Sequence, residues 1–253
     1  MTNGNRPTFR DIALCLVFFT RLPLPVFDFR DRKLADAIWA APLAGLAVAG
    51  IGALTYALAA WLGLAAGPTA VLALAAMVLA TGALHEDGLS DVADGFGGGR
   101  DRERKLEIMR DSRIGAYGAA ALALSLLVRW NALAEIRGGW SVLAALVAAH
   151  GASRGLLGVF MHGLLPARSD GLSAGAGSVS RQTAIAGAVL GALALLPLGL
   201  NGLGAAAILL GLVYVAFAGL CRRQIGGQTG DTAGALQQMA EIVVLLIASV
   251  TLS

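Results

Sequence analysis

The longest stretch without a charged residue runs from Ala37 to Leu84, and it strongly limits what the chain can fold into. One membrane-spanning helix needs about 20 predominantly apolar residues, so this stretch has room for two. The turn-forming segment GLAAGP at 63–68 divides it and predicts helices at 37–62 and 69–84. Because so much apolar surface is poorly solvated by water, we expect both helices to cross a lipid bilayer.

The composition of the whole chain agrees with a membrane protein. Hydrophobic residues make up 57% of it and charged residues only 14%, whereas soluble domains carry about 25% charged residues. Glycine is frequent, at 34 residues, and small residues let membrane helices approach closely. We predict an all-α fold in which residues 1–253 form a single polytopic membrane helical bundle.

Five more apolar segments predict further spans and bring the expected total to about seven: 114–136, 141–163, 183–199, 203–220 and 232–252. The N-terminal segment 12–27 is also apolar, but it is short and contains Arg21 and two prolines. We interpret this segment as re-entrant or interfacial. It has no small-residue cleavage pattern, so we do not expect a cleavable signal peptide.

Basic residues are distributed unevenly between the two sides of the predicted bundle. Threading the chain through the spans places four loops on one side: 28–36, 85–113, 164–182 and 221–231. They hold many arginines and lysines, whereas the opposite loops hold only Arg137. The positive-inside rule assigns the arginine-rich side to the cytoplasm. This asymmetry explains a pI of about 9.2 without nucleic acid, and no basic stretch interleaved with aromatics favours such a partner.

An acidic motif, HEDGLSDVADGFGGG at 85–99, follows the charge-free stretch directly. Asp87, Asp91 and Asp94 are spaced i, i+4, i+7, which places them on one face of a helix. Three carboxylates repel each other unless a cation lies between them, and Mg²⁺ commonly binds one or two carboxylates together with substrate phosphates. The alternative is a solvated acidic helix end. The neighbouring span favours the functional interpretation, because ionisable groups beside a membrane are usually functional.

His85 begins this motif, and its position fits a general base, a metal ligand or an interfacial histidine equally well. A second motif, RDSRIG, places Arg110 and Arg113 three residues apart, on one helix face. Arginine forks suit phosphate oxygens. Anchoring at the membrane interface explains the two arginines equally well by spacing alone.

A glycine-rich turn, GGQTGD at 226–231, precedes the last predicted span. Exposed backbone N–H groups and a helix N-terminus favour anions, although the turn lacks the lysine of a P-loop. Asp231 fits either a helix cap or a further metal ligand on the side of the acidic motif. We therefore expect active-site loops at about 85–113, 166–182 and 221–231.

Several ionisable residues fall within predicted spans, where each needs a partner or a polar cavity. Arg154 is one of them, and Arg129 and Glu241 raise the same question. His150 and His162 are interpreted first as helix-packing or interfacial residues.

Four stretches together resemble the cobalamin synthase family, the adenosylcobinamide-GDP ribazoletransferases: HEDGLSDVADGFGGG, IMRDSRIGAYG, SRGL with PARSDGL, and GGQTGDTAGALQQMAEIVVLL. With weaker similarity near the N-terminus, the resemblance covers nearly the whole chain. It implies a Mg²⁺-dependent transferase of the bacterial inner membrane with its active site facing the cytoplasm. Such an enzyme joins α-ribazole, or its 5′-phosphate, to adenosylcobinamide-GDP. GMP leaves, and adenosylcobalamin or its phosphate forms.

The resemblance also implies roles for individual residues. The implied metal ligands are Asp87, Asp91, Asp94 and Asp231. The implied contacts to substrate phosphates are Arg110, Arg113, Arg154, Arg168, Gly227, Thr229 and Gly230. His85 would act as a base for the ribazole hydroxyl. Glu86 stands where the family pattern leads us to expect an apolar residue, and it receives no role.

Two other functions fit parts of the sequence. CDP-alcohol phosphotransferases also use clustered aspartates and a metal, but their motif needs an arginine soon after the first Asp-Gly, and DGLSDVADG has none. A cation-coupled transporter would place paired ionisable residues at mid-membrane depth, whereas the carboxylates here cluster in loops. The sequence is compatible with an oligomer, and it leaves open the number of metal ions and the preferred form of ribazole.

Overall fold

The computed structural model describes residues 8–25, 27–29, 32–169 and 175–252, and helices dominate these ranges. The α-helices are α1 (Phe9–Phe19), α2 (Leu34–Ala37), α3 (Ala41–Trp61), α4 (Ala66–Thr81), α5 (Leu84–Gly98), α6 (Arg102–Ile108), α7 (Ala116–Glu135), α8 (Gly139–Gly163), α9 (Arg181–Ala194), α10 (Gly199–Ile225) and α11 (Gly230–Thr251). No β-strand occurs within the described ranges. The all-α prediction is therefore confirmed.

Among the described residues, length and apolarity identify five segments that can each cross a membrane, and a sixth if the bent pair α4–α5 is counted. The expected total was about seven. Much of the difference lies in Arg181–Ile225, a single apolar segment of 45 residues in this count. Such a segment is about twice as long as one crossing requires. Gly199, with a φ of 71°, breaks it between α9 and α10, where the sequence analysis predicts two separate spans.

Helix α8 lies at the centre of the bundle and packs against α3, α9 and α11. Its contact with α9 is made by glycines: a Cβ at Gly155 would lie 2.8 Å from the Cα of Gly191. The absence of side chains lets the two backbones touch, as small residues do in membrane proteins. The outer helix α10 instead exposes Ile208, Leu212 and Val215, as expected for a surface that faces lipid.

The N-terminal helix α1 has 11 residues, a length of about 16 Å, so it is too short to cross the bilayer. Its buried Asp11 receives hydrogen bonds from Arg32 Nε at 2.8 Å and from Trp39 Nε1 at 2.9 Å. These bonds hold the pKa of Asp11 below its usual value. The interpretation of 12–27 as a segment that does not span on its own agrees with this short helix.

A sharp bend of 88° separates α4 from α5. Both residues at the bend have a left-handed backbone, Gly82 with a φ of 62° and Ala83 with a φ of 57°. This conformation is uncommon for a residue with a side chain. The predicted helix 69–84 therefore ends at Thr81, and the acidic motif forms the separate helix α5.

The three loops expected to carry the active site meet at one end of the bundle. Ala167 N donates to Gln228 O at 2.8 Å, and Gln228 N donates to Leu165 O at 2.9 Å. Arg102 joins the third loop to them, since its Nε donates to Ile225 O at 2.8 Å. Arg102 stands in a mixed-charge stretch, RDRERK at 100–105, a pattern that by itself predicts a solvated helix with local ion pairs. Residues 170–174 of the loop 166–182 lie outside the described residues.

Candidate active site

The centre of the candidate site is the contact between α5 and α11. Gly88 of α5 lies against the backbone of Asp231, where a Cβ would come within 2.7 Å of the Asp231 carbonyl oxygen. Gly234 of α11 packs in turn on His85, where a Cβ would lie 3.3 Å from the histidine Cα. The two glycines let the helices approach closely, which brings the acidic face of α5 beside Asp231.

Negative charge accumulates at this contact. Burial, followed by the charges of Asp87, Asp231 and Asp94, raises the pKa of Asp91 to about 7. The positive charge of Arg168 opposes this rise, and Arg168 Nη2 lies 3.3 Å from Asp231 Oδ2. The pKa of Asp91 thus stays raised although Arg168 is near.

Asp94 lies on α5 with the other two aspartates, and it has backbone partners that its spacing does not predict. Its Oδ2 accepts a hydrogen bond from Gly115 N at 2.7 Å, and its Oδ1 accepts one from Gly118 N at 2.8 Å. These donors are unsatisfied groups at the N-terminus of α7. Asp94 therefore caps α7 with both oxygens, and its assignment as a metal ligand stays an untested prediction.

One pocket beside the carboxylates, here called the arginine pocket, is lined by Asp87, Asp91, Arg110 and Arg113 together with residues of the connecting loop. Arg113 is exposed and binds Asp111, with its Nη2 2.6 Å from Asp111 Oδ2. This pairing lowers the pKa of Asp111 to about 2. The structure therefore places both sequence-predicted arginines beside the predicted carboxylates.

A second pocket lies on the other side of Asp87 and is here called the apolar pocket. Its walls include Phe18, Phe19, Leu157 and Met161. Its polar lining comes from His85, Asp87, Gln228 and Asp231. Asp87 thus lines both pockets, one with mostly apolar walls and one that combines two arginines with several carboxylates.

His85 is buried in this second pocket. Its ring stacks on Phe19, with a centroid distance of 5.6 Å. Within the described ranges its Nε2 has no hydrogen-bond partner. A buried nitrogen without a partner is costly, so the ring is positioned to contact a ligand.

The glycine-rich turn is mainly structural. Gly227 lies against the backbone of Leu165 and Ala167, where a Cβ would clash. Thr229 caps α11, and its Oγ1 donates to Asp231 Oδ2 at 3.2 Å. Gly230 lines the apolar pocket. The turn therefore orients Asp231, whereas phosphate binding by these three residues stays a prediction.

Arg154 is placed apart from the predicted phosphate contacts. It is only 1% exposed and lines neither pocket, and its Nη1 lies 3.0 Å from His150 Nδ1. His150 Nδ1 also lies 3.1 Å from Glu241 Oε2. The structure thus gives this arginine a buried partner, which is what its position in a span requires.

The same cluster extends to two further charged residues. Arg129 Nη1 lies 2.9 Å from Glu86 Oε1 and 3.1 Å from Glu241 Oε1. We call Glu86, Arg129, His150, Arg154 and Glu241 the buried ion network. The sequence analysis assigned no role to Glu86. The sequence contained one indication of a role for Glu86, because a charged residue stands there where the family pattern favours an apolar one.

No group of three or more His, Cys, Asp or Glu side chains within the described ranges is arranged to hold a metal ion by itself. Mg²⁺ does not require such a cage, because it usually keeps several waters and binds one or two carboxylates plus substrate phosphates. Asp87 and Asp91, one helical turn apart beside the arginine pocket, fit that more open type of site.

Comparison with known proteins gives a consistent result. The chain is 70% identical to the adenosylcobinamide-GDP ribazoletransferase of Mesorhizobium japonicum over 253 residues, covering 100% of this chain and 98% of that protein. It is 51% identical to the protein of the same name from Bradyrhizobium diazoefficiens, covering 98% of this chain and 96% of that relative. No solved structure matches significantly. The family model for cobalamin-5-phosphate synthase matches residues 11–249. The chain therefore belongs to the cobalamin-5-phosphate synthase family.

Proposed function

We propose that this chain joins α-ribazole, or its 5′-phosphate, to adenosylcobinamide-GDP and releases GMP. The observation that carries the proposal is the convergence of Asp87, Asp91 and Asp231 beside a pocket lined by two arginines. Carboxylates with excess negative charge suit a divalent cation, and arginines suit phosphate oxygens. A pyrophosphate substrate with its metal ion supplies both partners.

Mg²⁺ is the proposed metal, and Asp87 and Asp91 would hold it. The raised pKa of Asp91 supports this assignment, because a nearby cation would relieve the repulsion between the carboxylates. When bound, the ion would neutralise the charge of the pyrophosphate and of the departing GMP. Asp231 is held by Thr229 and Arg168, so it supplies charge from the opposite helix.

In the proposed reaction a secondary hydroxyl of the ribose, which is free in both α-ribazole and its 5′-phosphate, attacks the phosphorus attached to cobinamide. A new phosphorus–oxygen bond forms, the pyrophosphate bond breaks, and GMP leaves with the other phosphate. Arg110 and Arg113 bind the phosphate oxygens as charge develops on them. The Nε2 of His85 accepts the hydroxyl proton, since His85 lines the same pocket as Asp87 and its Nε2 has no hydrogen-bond partner among the described residues.

The direct test is turnover by the purified protein in detergent. It is incubated with adenosylcobinamide-GDP, α-ribazole and Mg²⁺, and the products are identified by mass spectrometry. We expect adenosylcobalamin and GMP in equal amounts, and loss of both on addition of EDTA. A parallel incubation with α-ribazole 5′-phosphate shows which form is preferred. Absence of GMP with either ribazole would reject the proposed reaction.

We also propose that the site faces the cytoplasm of the bacterial inner membrane. The support is the positive-inside distribution of arginines and the meeting of the three loops at one end. Single cysteines are introduced at the exposed Ser178 and Asn201 in a background without Cys15 and Cys221. In intact cells an impermeant thiol reagent should label position 201 but not 178. The reverse pattern would contradict this orientation.

A further inference from the structure

We infer that the two pockets divide the substrates between them: the apolar pocket binds the benzimidazole base of α-ribazole, and the arginine pocket binds the pyrophosphate of the second substrate. This inference rests on the proposed function and adds a binding site for each reactant. The reacting atoms then meet at Asp87, which lines both pockets.

The apolar pocket fits a flat, uncharged ring. Phe18 and Phe19 line it, with their rings 4.9 Å apart and edge to face. Leu157 and Met161 of α8 lie among the other lining residues. Burial of apolar surface is the main source of affinity for such a ring, and aromatic side chains pack well against it. A guanine base, with many polar edge groups, would lose its hydrogen bonds to water there.

The polar lining of the same pocket fits the sugar that follows the base. His85, Asp87 and Asp231 line the apolar pocket together with its apolar walls. Nucleoside hydroxyls donate and accept hydrogen bonds, so they match carboxylates and the free Nε2 of His85. A nucleoside with an apolar base is therefore oriented with its hydroxyls toward the carboxylates.

The arginine pocket has the opposite chemistry. Arg110 and Arg113 lie on a loop at its edge, and Asp87 and Asp91 lie on α5. The arginine pair suits phosphate oxygens, and the carboxylates suit the metal ion that accompanies a pyrophosphate. Because Asp87 lines both pockets, the two pockets meet at α5.

The test narrows the apolar pocket alone. Met161→Phe adds bulk to its wall, and Val215→Phe adds similar bulk on the exposed surface of α10, where Val215 is 68% exposed. If the added bulk keeps an area equal to about two methyl groups of the base out of the pocket, binding of α-ribazole weakens about tenfold. We expect Met161→Phe to raise KM for α-ribazole about tenfold and to leave KM for adenosylcobinamide-GDP within about twofold. Val215→Phe should change neither constant.

A smaller base tests whether the effect is one of fit rather than of folding. The riboside of benzimidazole without its two methyl groups should regain most of the lost kcat/KM in Met161→Phe. Arg113→Lys should show the reverse pattern, with the loss confined to adenosylcobinamide-GDP. Equal loss for both substrates, or no recovery with the smaller base, would overturn the division of the pockets.

Binding without turnover separates this inference from the proposed reaction. Equilibrium dialysis of α-ribazole alone should show binding to the wild type and about tenfold weaker binding to Met161→Phe. If wild-type turnover fails while this difference remains, the reaction is wrong and the pocket assignment stands. If turnover succeeds while the two affinities are equal, the pocket assignment is wrong.

Discussion

Helix α5 contributes residues to two charged regions, the buried ion network and the candidate site, which differ in how their charge is balanced. In the buried ion network, the carboxylates of Glu86 and Glu241 are matched by Arg129 and Arg154. At the candidate site, Asp87, Asp91 and Asp231 repel one another, and the nearby charge of Arg168 does not keep the pKa of Asp91 from rising. Glu86 belongs to the network and also lines the arginine pocket beside Asp87, so the two regions meet on this helix.

This difference in charge balance indicates which region can bind a cation. Charges that are buried and paired inside the protein hold helices together, and removing one partner leaves another charge uncompensated. Carboxylates that raise each other's pKa are stabilised when a cation arrives. We therefore expect changes in the network to affect stability first and changes at the site to affect turnover first.

The largest effect is expected for Arg129→Met, which leaves Glu86 and Glu241 without their shared partner. Removing one member of a buried pair costs about 3–5 kcal/mol. Thermal unfolding in detergent, followed by light scattering, measures the loss. The double variant Arg129→Met with Glu241→Gln should recover part of it, because it removes one of the orphaned charges. Unfolding temperatures equal to that of the wild type would show that the network contributes little to stability.

Asp91→Asn should lower turnover and leave stability nearly unchanged, which is the opposite of the effect expected for Arg129→Met. Loss of a charged group that stabilises the reacting phosphates lowers kcat by about a hundredfold or more, while the unfolding temperature stays near that of the wild type. Glu103→Gln is the control, because its carboxylate is 79% exposed on α6. Steady-state kinetics over a range of Mg²⁺ concentrations measures both variants. A near-normal kcat of Asp91→Asn at low Mg²⁺ would contradict metal binding and would favour the interpretation of these carboxylates as a solvated helix end.

Arg113→Lys keeps the charge of the arginine pocket but removes the planar fork. We expect a loss of about 1–3 kcal/mol in transition-state binding, the range for hydrogen bonds with charged groups, measured as kcat/KM. Arg104→Lys is the matched control, since this exposed arginine pairs only locally with Glu107 at 2.7 Å. Equal, small losses in both variants would favour membrane anchoring for Arg113.

The smallest effect is expected for Asp94→Asn, which retains one of the two acceptor oxygens at the α7 N-terminus. Loss of a helix cap costs about 1 kcal/mol, and the Mg²⁺ dependence of turnover should stay unchanged. Titration of activity with Mg²⁺ distinguishes this capping role from metal binding. If Asp94→Asn needs a markedly higher Mg²⁺ concentration for half-maximal activity, Asp94 is a metal ligand.

The features that the sequence predicted well depend on local periodicity. The spacing of Asp87 and Asp91 correctly placed both on one helix face, because a helix repeats every 3.6 residues. The length of the charge-free stretch and the turn segment at 63–68 predicted α3 and α4, and these features are also local in the sequence. The order of the predicted spans placed the three loops on one side, and the hydrogen bonds of Ala167, Gln228 and Arg102 show that they meet.

The features that it missed depend on partners far away along the chain. Asp94 fits the acidic periodicity, but its position is decided by the backbone of Gly115 and Gly118. Arg102 has the composition of a solvated residue, yet it donates to a carbonyl 123 residues away. Spacing within a segment contains no information on such contacts. The bend at Gly82 was also missed, since one glycine predicts a turn but not its angle.

The pairing of Arg129 with Glu241 has a consequence for synthesis of the protein. The two residues are 112 positions apart, and ribosomes add about 5–20 residues per second, so on the order of ten seconds separate their emergence. Glu86 has already been made when Arg129 appears, and it supplies an interim counter-ion. The last helix completes the neutralisation of a guanidinium that entered the bilayer earlier. A nascent chain truncated before α11 should therefore remain longer beside the insertion machinery than the full-length chain does.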